Sequence, residues 1–366
     1  MKITAAVARE RGAPLTIEEL DLDPLRADEV RVRMVGAGVC HTDAVARDGV
    51  YPVPLPAVLG HEGAGVVEEV GAQVCGVAAG DHVILGPGYC GQCRMCRSGE
   101  PMYCDNAYGQ MFASRRRDGT TALSSGATPI GSHFFGQSSF ATYANVAANS
   151  VIVVDKDVPL ELFGPLGCGL TTGAGAVLNE MDLAPDSSLV VFGTGAVGFG
   201  ALMAAAAVSC RTVIGVDIHD GRLELARELG ATHTVNSGTQ DLKAELKAIT
   251  GGHGVDFALD TTAVPEVVRS AADALGTRGT LVAVGAAAPG TEITFEIGAS
   301  LMKGWTFKTV IEGSAVPQVF IPQLVELWRR GRFPFDRLVR TYPLREIEQA
   351  FADSASGEVI KPVIVY

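Results

Sequence analysis

The chain has 366 residues, of which 47% are apolar and 19% charged, and a formal net charge of −12. That length supports two cores more readily than one, and the composition is that of a globular enzyme, excluding a disordered or fibrous chain. The acidic balance argues against nucleic acid as a partner: the one dense basic run, Arg115-Arg116-Arg117, lies in a polar segment and reads as a solvated loop.

The opening residues MKITAAVARERG become charged too early for a secretory core, so a cytoplasmic protein is expected. Residues 189–210 are long and apolar. They carry four glycines and no basic flank, which disfavours a membrane span. Eight cysteines, four of them within fifteen residues, point to thiolate metal ligation in a reducing compartment.

The N-terminal part is strand-rich. VRVRMVGAGVC alternates apolar and polar residues before breaking at glycines, VLGHEGAGVVEEVG reads as strand and turn, and DHVILGPG as a short strand. Residues 90–104 are polar and turn-rich, residues 105–136 read as irregular surface loop, and 139–149 and 151–155 return to strand. A helical stretch over 170–180 precedes the continuous apolar run LVVFG, after which strands and helices alternate as far as GTLVAVG. Such βαβ repetition predicts an α/β, Rossmann-like doubly wound parallel sheet over 168–305. A helix over 316–330 and the strand VIKPVIVY follow, and residues 306–366 are expected to return to a first domain at 1–167.

Gly193-Thr-Gly195-Ala196-Val197-Gly198 falls between strand and helix, where the glycines permit a tight turn, a close approach of backbone to a pyrophosphate and helix packing. Asp217 ends the next strand, nineteen residues after Gly198, suited to the adenosine ribose hydroxyls. A carboxylate there repels a 2′-phosphate, which favours NAD over NADP, although Arg222 also lies within reach of the ribose region. Cys90-x2-Cys93-x2-Cys96-x7-Cys104, in a lobe at 88–106, offers four thiolates for one tetrahedral ion. Closed all-sulfur coordination favours structural Zn²⁺, while iron–sulfur clusters use similar spacings. Cys40, His61 and Cys168 would form a Cys₂His set with one open position, but read singly they are core cysteines and a turn histidine.

GVCHTD, GHEGAGVVEEVG, the four-cysteine lobe and GTGAVG, in that order, resemble the zinc-containing medium-chain alcohol dehydrogenases over the full length. The resemblance implies a GroES-like, mostly β catalytic domain and a Rossmann cofactor domain. It implies two zinc ions per chain, one structural and one catalytic on Cys40, His61 and Cys168. Asp43 would orient His61, Glu62 would assist ligand exchange, and Thr42 would bond the alcohol oxygen and lead its proton outward. The family's pyrophosphate-contacting arginines are matched by His41 and Lys361, and the relay histidine found in many members just after Asp43 is replaced by Ala44-Val45-Ala46.

GVCHTD with Val45, and SHFFGQSSFATY, are similar to the aryl-alcohol and geraniol dehydrogenase branch. The implied activity is NAD-dependent, reversible oxidation of primary aromatic or allylic alcohols to aldehydes in a homodimer or homotetramer. General short-chain aliphatic and glutathione-dependent formaldehyde dehydrogenases are the alternatives. Val45, Tyr51, Pro52 and Phe134, with Phe135 and Phe140, are expected to wall the substrate, and Gly86 to leave room for its ring.

Overall fold

The computed structural model describes residues 1–366, and the chain divides into two units. The first comprises Met1–Cys168, Val316–Pro322 and Asp336–Tyr366, the second Gly169–Ala315 and Gln323–Phe335. No helix is long and apolar enough to cross a membrane.

Ten strands precede residue 168. They are β1 (Lys2–Ala8), β2 (Thr16–Leu22), β3 (Glu29–Gly38), β4 (Ala57–Val58), β5 (Glu62–Val70), β6 (His82–Leu85), β7 (Leu123–Ser125), β8 (Thr128–Ile130), β9 (Tyr143–Ala147) and β10 (Val151–Val154). The second unit holds β11 (Ser188–Phe192), β12 (Thr212–Asp217), β13 (His233–Asn236), β14 (Val255–Asp260), β15 (Leu275–Ala283) and β16 (Thr306–Thr309), and β17 (Val339–Pro343) and β18 (Lys361–Val365) belong to the first.

In the first unit β10-β6-β5-β3-β18-β17 form one sheet, with β9 also paired to β3, and β4-β1-β2-β7-β8 form another. The alternation read in VRVRMVGAGVC works as a strand should: Val30, Val32 and Met34 turn inward and share a core with Val67, Val83, Leu85 and Val146. The C-terminal strand β18 runs antiparallel to β3, with Val363 opposite Gly38, and this pairing brings the end of the chain to the segment that carries Cys40. A second core gathers Phe134, Phe135 and Phe140 with Tyr342 and Phe351.

The second unit is a parallel sheet in the order β13-β12-β11-β14-β15-β16, the doubly wound Rossmann arrangement. β11 is buried at all five positions, as its unbroken apolar run requires for a strand covered on both faces.

Three expectations are corrected. The C-terminal return does not begin at 306, because β16 adds in parallel to β15 and extends the Rossmann sheet by one strand. Cys168 groups with the first unit and not with the second. Residues 105–136 are not merely surface loop: they contribute the β7–β8 hairpin, and Ile130, Phe134 and Phe135 are core residues.

Candidate active site and metal centres

The first ligand set is assembled from three places in the first unit. Cys40 immediately precedes the short helix His41–Arg47, His61 precedes β5, and Cys168 follows the turn after Phe163. Ligand atoms of Cys40, His61, Glu62 and Cys168 all lie within 4.8 Å of one another. Asp43 is fully buried and fixes this geometry: one carboxylate oxygen accepts from His61 Nδ1 at 2.8 Å and Gly60 N at 3.1 Å, and the other from Cys40 N at 3.0 Å. With Nδ1–H committed to Asp43, His61 presents Nε2, which is buried with no protein partner. An orphaned imidazole nitrogen beside two thiols is the donor set of a Cys₂His zinc site. The charges agree, since a hydrogen bond from Cys168, together with the neighbouring His61 and Lys361, holds the Cys40 thiol well below its usual range despite burial.

Glu62 and Lys361 lie against this set as a buried pair. Lys361 Nζ donates to both Glu62 oxygens at 2.9 and 3.0 Å and to Val39 O at 3.1 Å. Burial pushes the Glu62 carboxyl up to about 7, against the pull of Lys361. Lys361 is only 2% exposed. The expectation that it meets a pyrophosphate is therefore corrected: its ammonium is enclosed by Glu62 and the Val39 carbonyl, where it offsets an anion too buried to stand alone. His41, by contrast, is exposed, and Thr42 is half-buried with its hydroxyl free of any protein partner.

The second set, Cys90, Cys93, Cys96 and Cys104, also closes within 4.8 Å. Sulfurs of Cys90 and Cys96 are 3.9 Å apart, close to the roughly 3.8 Å edge of a tetrahedron with 2.3 Å Zn–S bonds. Such closure suits a single ion and leaves no room for a sulfide-bridged cluster. Backbone N–H groups of Gln92 and Cys93 donate to Cys90 Sγ and lower that thiol to about 6, and those of Cys96 and Asp105 donate to Cys93 Sγ. Cys90 and Cys93 are thus held towards the thiolate, while burial pushes Cys96 and Cys104 up, so a bound cation is needed to hold all four sulfurs ionised.

Aromatic rings extend outward from His61. Phe135 lies 4.6 Å from the imidazole at 34° and Phe134 meets it edge-on at 5.7 Å, while Phe112 packs on Phe135, and Tyr51 and Tyr108 on Phe112. Tyr51 and Phe112 are half-buried and Tyr108 is exposed, so the wall runs from the metal ligands to solvent. Phe112 was not legible in the sequence, where it stood in an apparently irregular segment. Phe140 is corrected: it fills the core against Phe351. Gly86 also differs from expectation, since a Cβ there would come 3.1 Å from Ile152 and 3.3 Å from Pro317, so a large ring would have to displace both.

In the second unit Gly193 adopts φ +87°, a Cβ on Gly198 would lie 1.9 Å from Gly193 O, and Gly195 faces open space at the start of the helix Ala196–Ala207. The turn, close packing and free approach expected of the fingerprint, with Ala196 and Val197 opening the helix, are all present. Asp217 Oδ2 accepts from Thr194 N at 2.7 Å and Thr194 Oγ1 at 2.8 Å, and Oδ1 accepts from Ile218 N and His219 N. Burial pushes this carboxyl up, but those four bonds outweigh it and hold its pKa below the ordinary value. Arg222 is only loosely associated, with Nη1 3.9 Å from Asp217 Oδ2.

Residues 26–156 match the alcohol dehydrogenase GroES-like domain and residues 196–329 the zinc-binding dehydrogenase domain. The chain is 44% identical to a geraniol dehydrogenase of Castellaniella defragrans over 364 residues, covering 99% of this chain and 97% of that one. It is similar to the crystal structure of benzyl alcohol dehydrogenase from Acinetobacter calcoaceticus, at 48% identity and a TM-score of 0.96 over 100% of this chain and 99% of that one. An alcohol dehydrogenase zinc-binding domain protein from Burkholderia ambifaria superposes with a TM-score of 0.97 at 52% identity, over 100% and 99% of the two chains. With two complete zinc-ligand sets and a Rossmann fingerprint beside these matches, the chain belongs to the zinc-binding, NAD-linked medium-chain alcohol dehydrogenases.

Proposed function

We propose that this dehydrogenase oxidises primary alcohols whose carbinol carbon adjoins an aromatic ring or an allylic double bond, and reduces the matching aldehydes. The observation that carries the reading is the aromatic wall of Phe135, Phe112 and Tyr51 rising from His61. A ring or prenyl group buries far more apolar area there than a methyl group, at roughly 0.8 kcal/mol per methylene removed from water. The geraniol and benzyl alcohol dehydrogenases among its relatives agree with this class. Short-chain aliphatic alcohols leave such a wall unfilled.

Zinc held by Cys40, His61 and Cys168 would supply Lewis-acid polarisation of the alcohol oxygen, and bound NAD would serve as the hydride acceptor. The chain's own part is orientation and proton transfer. Asp43 holds His61 in the tautomer that leaves Nε2 for the metal. Glu62, neutralised by Lys361, stands within the ligand set as the side chain available for ligand exchange. The free Thr42 hydroxyl takes the substrate proton and passes it outward, with exposed His41 available beside it to the departing proton and to the pyrophosphate. Backbone amides of Gly195 to Gly198 receive the cofactor phosphates, and Asp217 receives the ribose hydroxyls with Arg222 alongside.

The deciding measurement is initial-rate kcat/KM with NAD for benzyl alcohol, geraniol, cinnamyl alcohol, ethanol and S-hydroxymethylglutathione. Benzyl alcohol or geraniol should exceed ethanol by at least about a hundredfold, a difference of some 2.7 kcal/mol in transition-state stabilisation. Parity with ethanol, or preference for the glutathione adduct, would defeat the proposal.

Thr42→Ala should lower alcohol oxidation by roughly 100- to 10,000-fold, the usual contribution of a positioned proton-transfer group, and Thr42→Ser should restore much of it. An alanine enzyme with near-wild-type kcat would remove Thr42 from the mechanism. Asp217→Gly should shift the NAD-to-NADP ratio of kcat/KM toward NADP by at least about tenfold, since charge-assisted hydrogen bonds of 1.5–3 kcal/mol are lost along with the repulsion. A ratio is the right readout, because Asp217 also braces Thr194 and loss of folded enzyme cancels in it. An unchanged ratio would take the role from Asp217.

We also infer a cytoplasmic homo-oligomer, a homodimer or a homotetramer. Eight unpaired thiols suit a reducing compartment. β16 is the outer strand of its sheet, exposed along its length, and the adjacent helix Ile297–Lys303 leaves Ile297, Leu301 and Met302 at least 80% exposed. Such an edge invites pairing with a second copy. Sedimentation as a monomer at micromolar concentration would contradict it.

A further inference from the structure

Gln137 belongs to neither ligand set, yet it is wholly buried and both ends of its side chain are committed to the backbone around His61. Nε2 donates to His61 O at 2.8 Å and lies 3.3 and 3.4 Å from Gly86 O and Leu85 O, and Oε1 accepts from Gly63 N at 3.0 Å. Three carbonyls around one end and an N–H at the other fix which way the amide points. The two strong bonds straddle Glu62. The Leu85 end braces a second ligand segment, because Leu85 O sits 2.2 Å from where a Cβ on Gly167 would fall, one residue before Cys168.

The turn that delivers Gln137 is strained. Phe135, Gly136 and Ser138 adopt φ of +52°, +77° and +56°, a left-handed conformation that a bulky aromatic residue rarely accepts. It is tied down chiefly to the segment that leads into His61. Ser138 Oγ donates to Val58 O at 2.6 Å, Ser139 N to Gly60 O at 2.9 Å, and the Phe135 ring lies on the imidazole. Strain held in place chiefly by contacts with the metal-ligand segment points to a role at that segment.

We propose that Gln137 is a positioning residue for the catalytic metal, its amide locking the His61–Gly63 backbone so that His61 Nε2 meets the sulfurs of Cys40 and Cys168. This rests on the reading of those three residues as the catalytic zinc ligands, which two zinc ions per wild-type chain would support independently. Gln137→Met keeps the length of the side chain and removes every hydrogen bond. Gln137→Glu keeps the shape and the acceptor for Gly63 N–H but places an oxygen against His61 O.

Zinc release to a chromogenic chelator, followed as two kinetic phases in folded protein, is the first readout. The phase lost in Cys40→Ser identifies the catalytic ion. Gln137→Met should speed that phase by at least about tenfold, the usual cost of removing a group that supports a ligand, and leave the lobe phase unchanged. Cobalt exchanged into the same site should show shifted visible absorption bands, and kcat should fall more than the KM for NAD rises. Should the methionine variant not fold, Gln137→Glu serves as the same test with the same expected direction. Unchanged catalytic-phase release with an unchanged cobalt spectrum would overturn the proposal, and so would equal acceleration of both phases, which marks a general structural role.

Discussion

Cys40→Ser is expected to lower alcohol oxidation by at least roughly a thousandfold while leaving the melting temperature near that of wild type, and Cys93→Ser to lower the melting temperature and the yield of assembled protein. The difference follows from what surrounds each site. Around Cys40 the chain is held by β3, β5 and β18, by the Asp43 hydrogen bonds and by a large apolar core, none of which needs the ion in order to form. A serine hydroxyl there is a poor zinc ligand at neutral pH, so the ion or its geometry is lost and the chemistry with it. The lobe has no comparable support. Between Cys90 and Cys104 there is one helix of four residues and one short turn, and only Pro101, Met102 and Cys104 are buried. Structural zinc in small lobes contributes on the order of 10 kcal/mol to local folding, so four thiolates and their ion hold most of this segment in place. Zinc per chain and thermal unfolding, measured on both variants beside wild type, check the division. Each variant should retain one of two ions, and equal thermal loss in the two would contradict it.

The features legible in the sequence share a physical property: their partners are near in the chain. Four thiols within fifteen residues can hardly avoid a common ion, and a strand, glycine turn, helix and acidic residue in series leave one sensible arrangement. Cys40, His61 and Cys168 are different, since over a hundred residues separate the last two, and only resemblance to a family joined them before the sheet did. Lys361 illustrates the limit. Resemblance assigned it to a phosphate, but the antiparallel pairing of β18 with β3 buries its ammonium on Glu62. Gln137 and Phe112 were invisible for the same reason, because a glutamine in a polar turn and an isolated phenylalanine acquire meaning only when distant backbone arrives beside them. Gly86 shows the converse. In the sequence its missing side chain reads as room for substrate, whereas the space beside it is already filled by Ile152 and Pro317.

Arg116 and its surroundings carry a second large effect on stability. Within an arginine triplet that looked solvated, it is buried and grips Glu29 with Nε–Oε1 at 2.6 Å and Nη2–Oε2 at 3.1 Å, with a further bond to Asp23. His133 adds a third donor at 3.2 Å. Ser132 Oγ accepts from Ala122 N and lies 2.9 Å from His133 Nδ1, which turns the ring so that Nε2 faces Glu29. Burial pushes the Glu29 carboxyl up, and these donors more than reverse it, holding it at about 2 against an ordinary 4.5. A depressed pKa in the folded state means that the stabilisation is fully present above pH 4.5 and is lost as the pH falls through 4.5 towards 2. The shift corresponds to about 3 kcal/mol, and breaking a buried pair by removing one partner costs a similar 3–5 kcal/mol. Glu29→Gln should therefore unfold at lower urea concentration than wild type at pH 7, by about 3 kcal/mol in stability. The gap should narrow below pH 4.5 and shrink to about a quarter of its pH 7 size by pH 2.5, because the wild-type carboxylate is progressively neutralised as the pH falls towards 2. Urea titrations of both proteins at pH 7, 4 and 2.5 give the comparison directly, and a gap that stays constant across that range would show that the Glu29 charge contributes nothing to the fold.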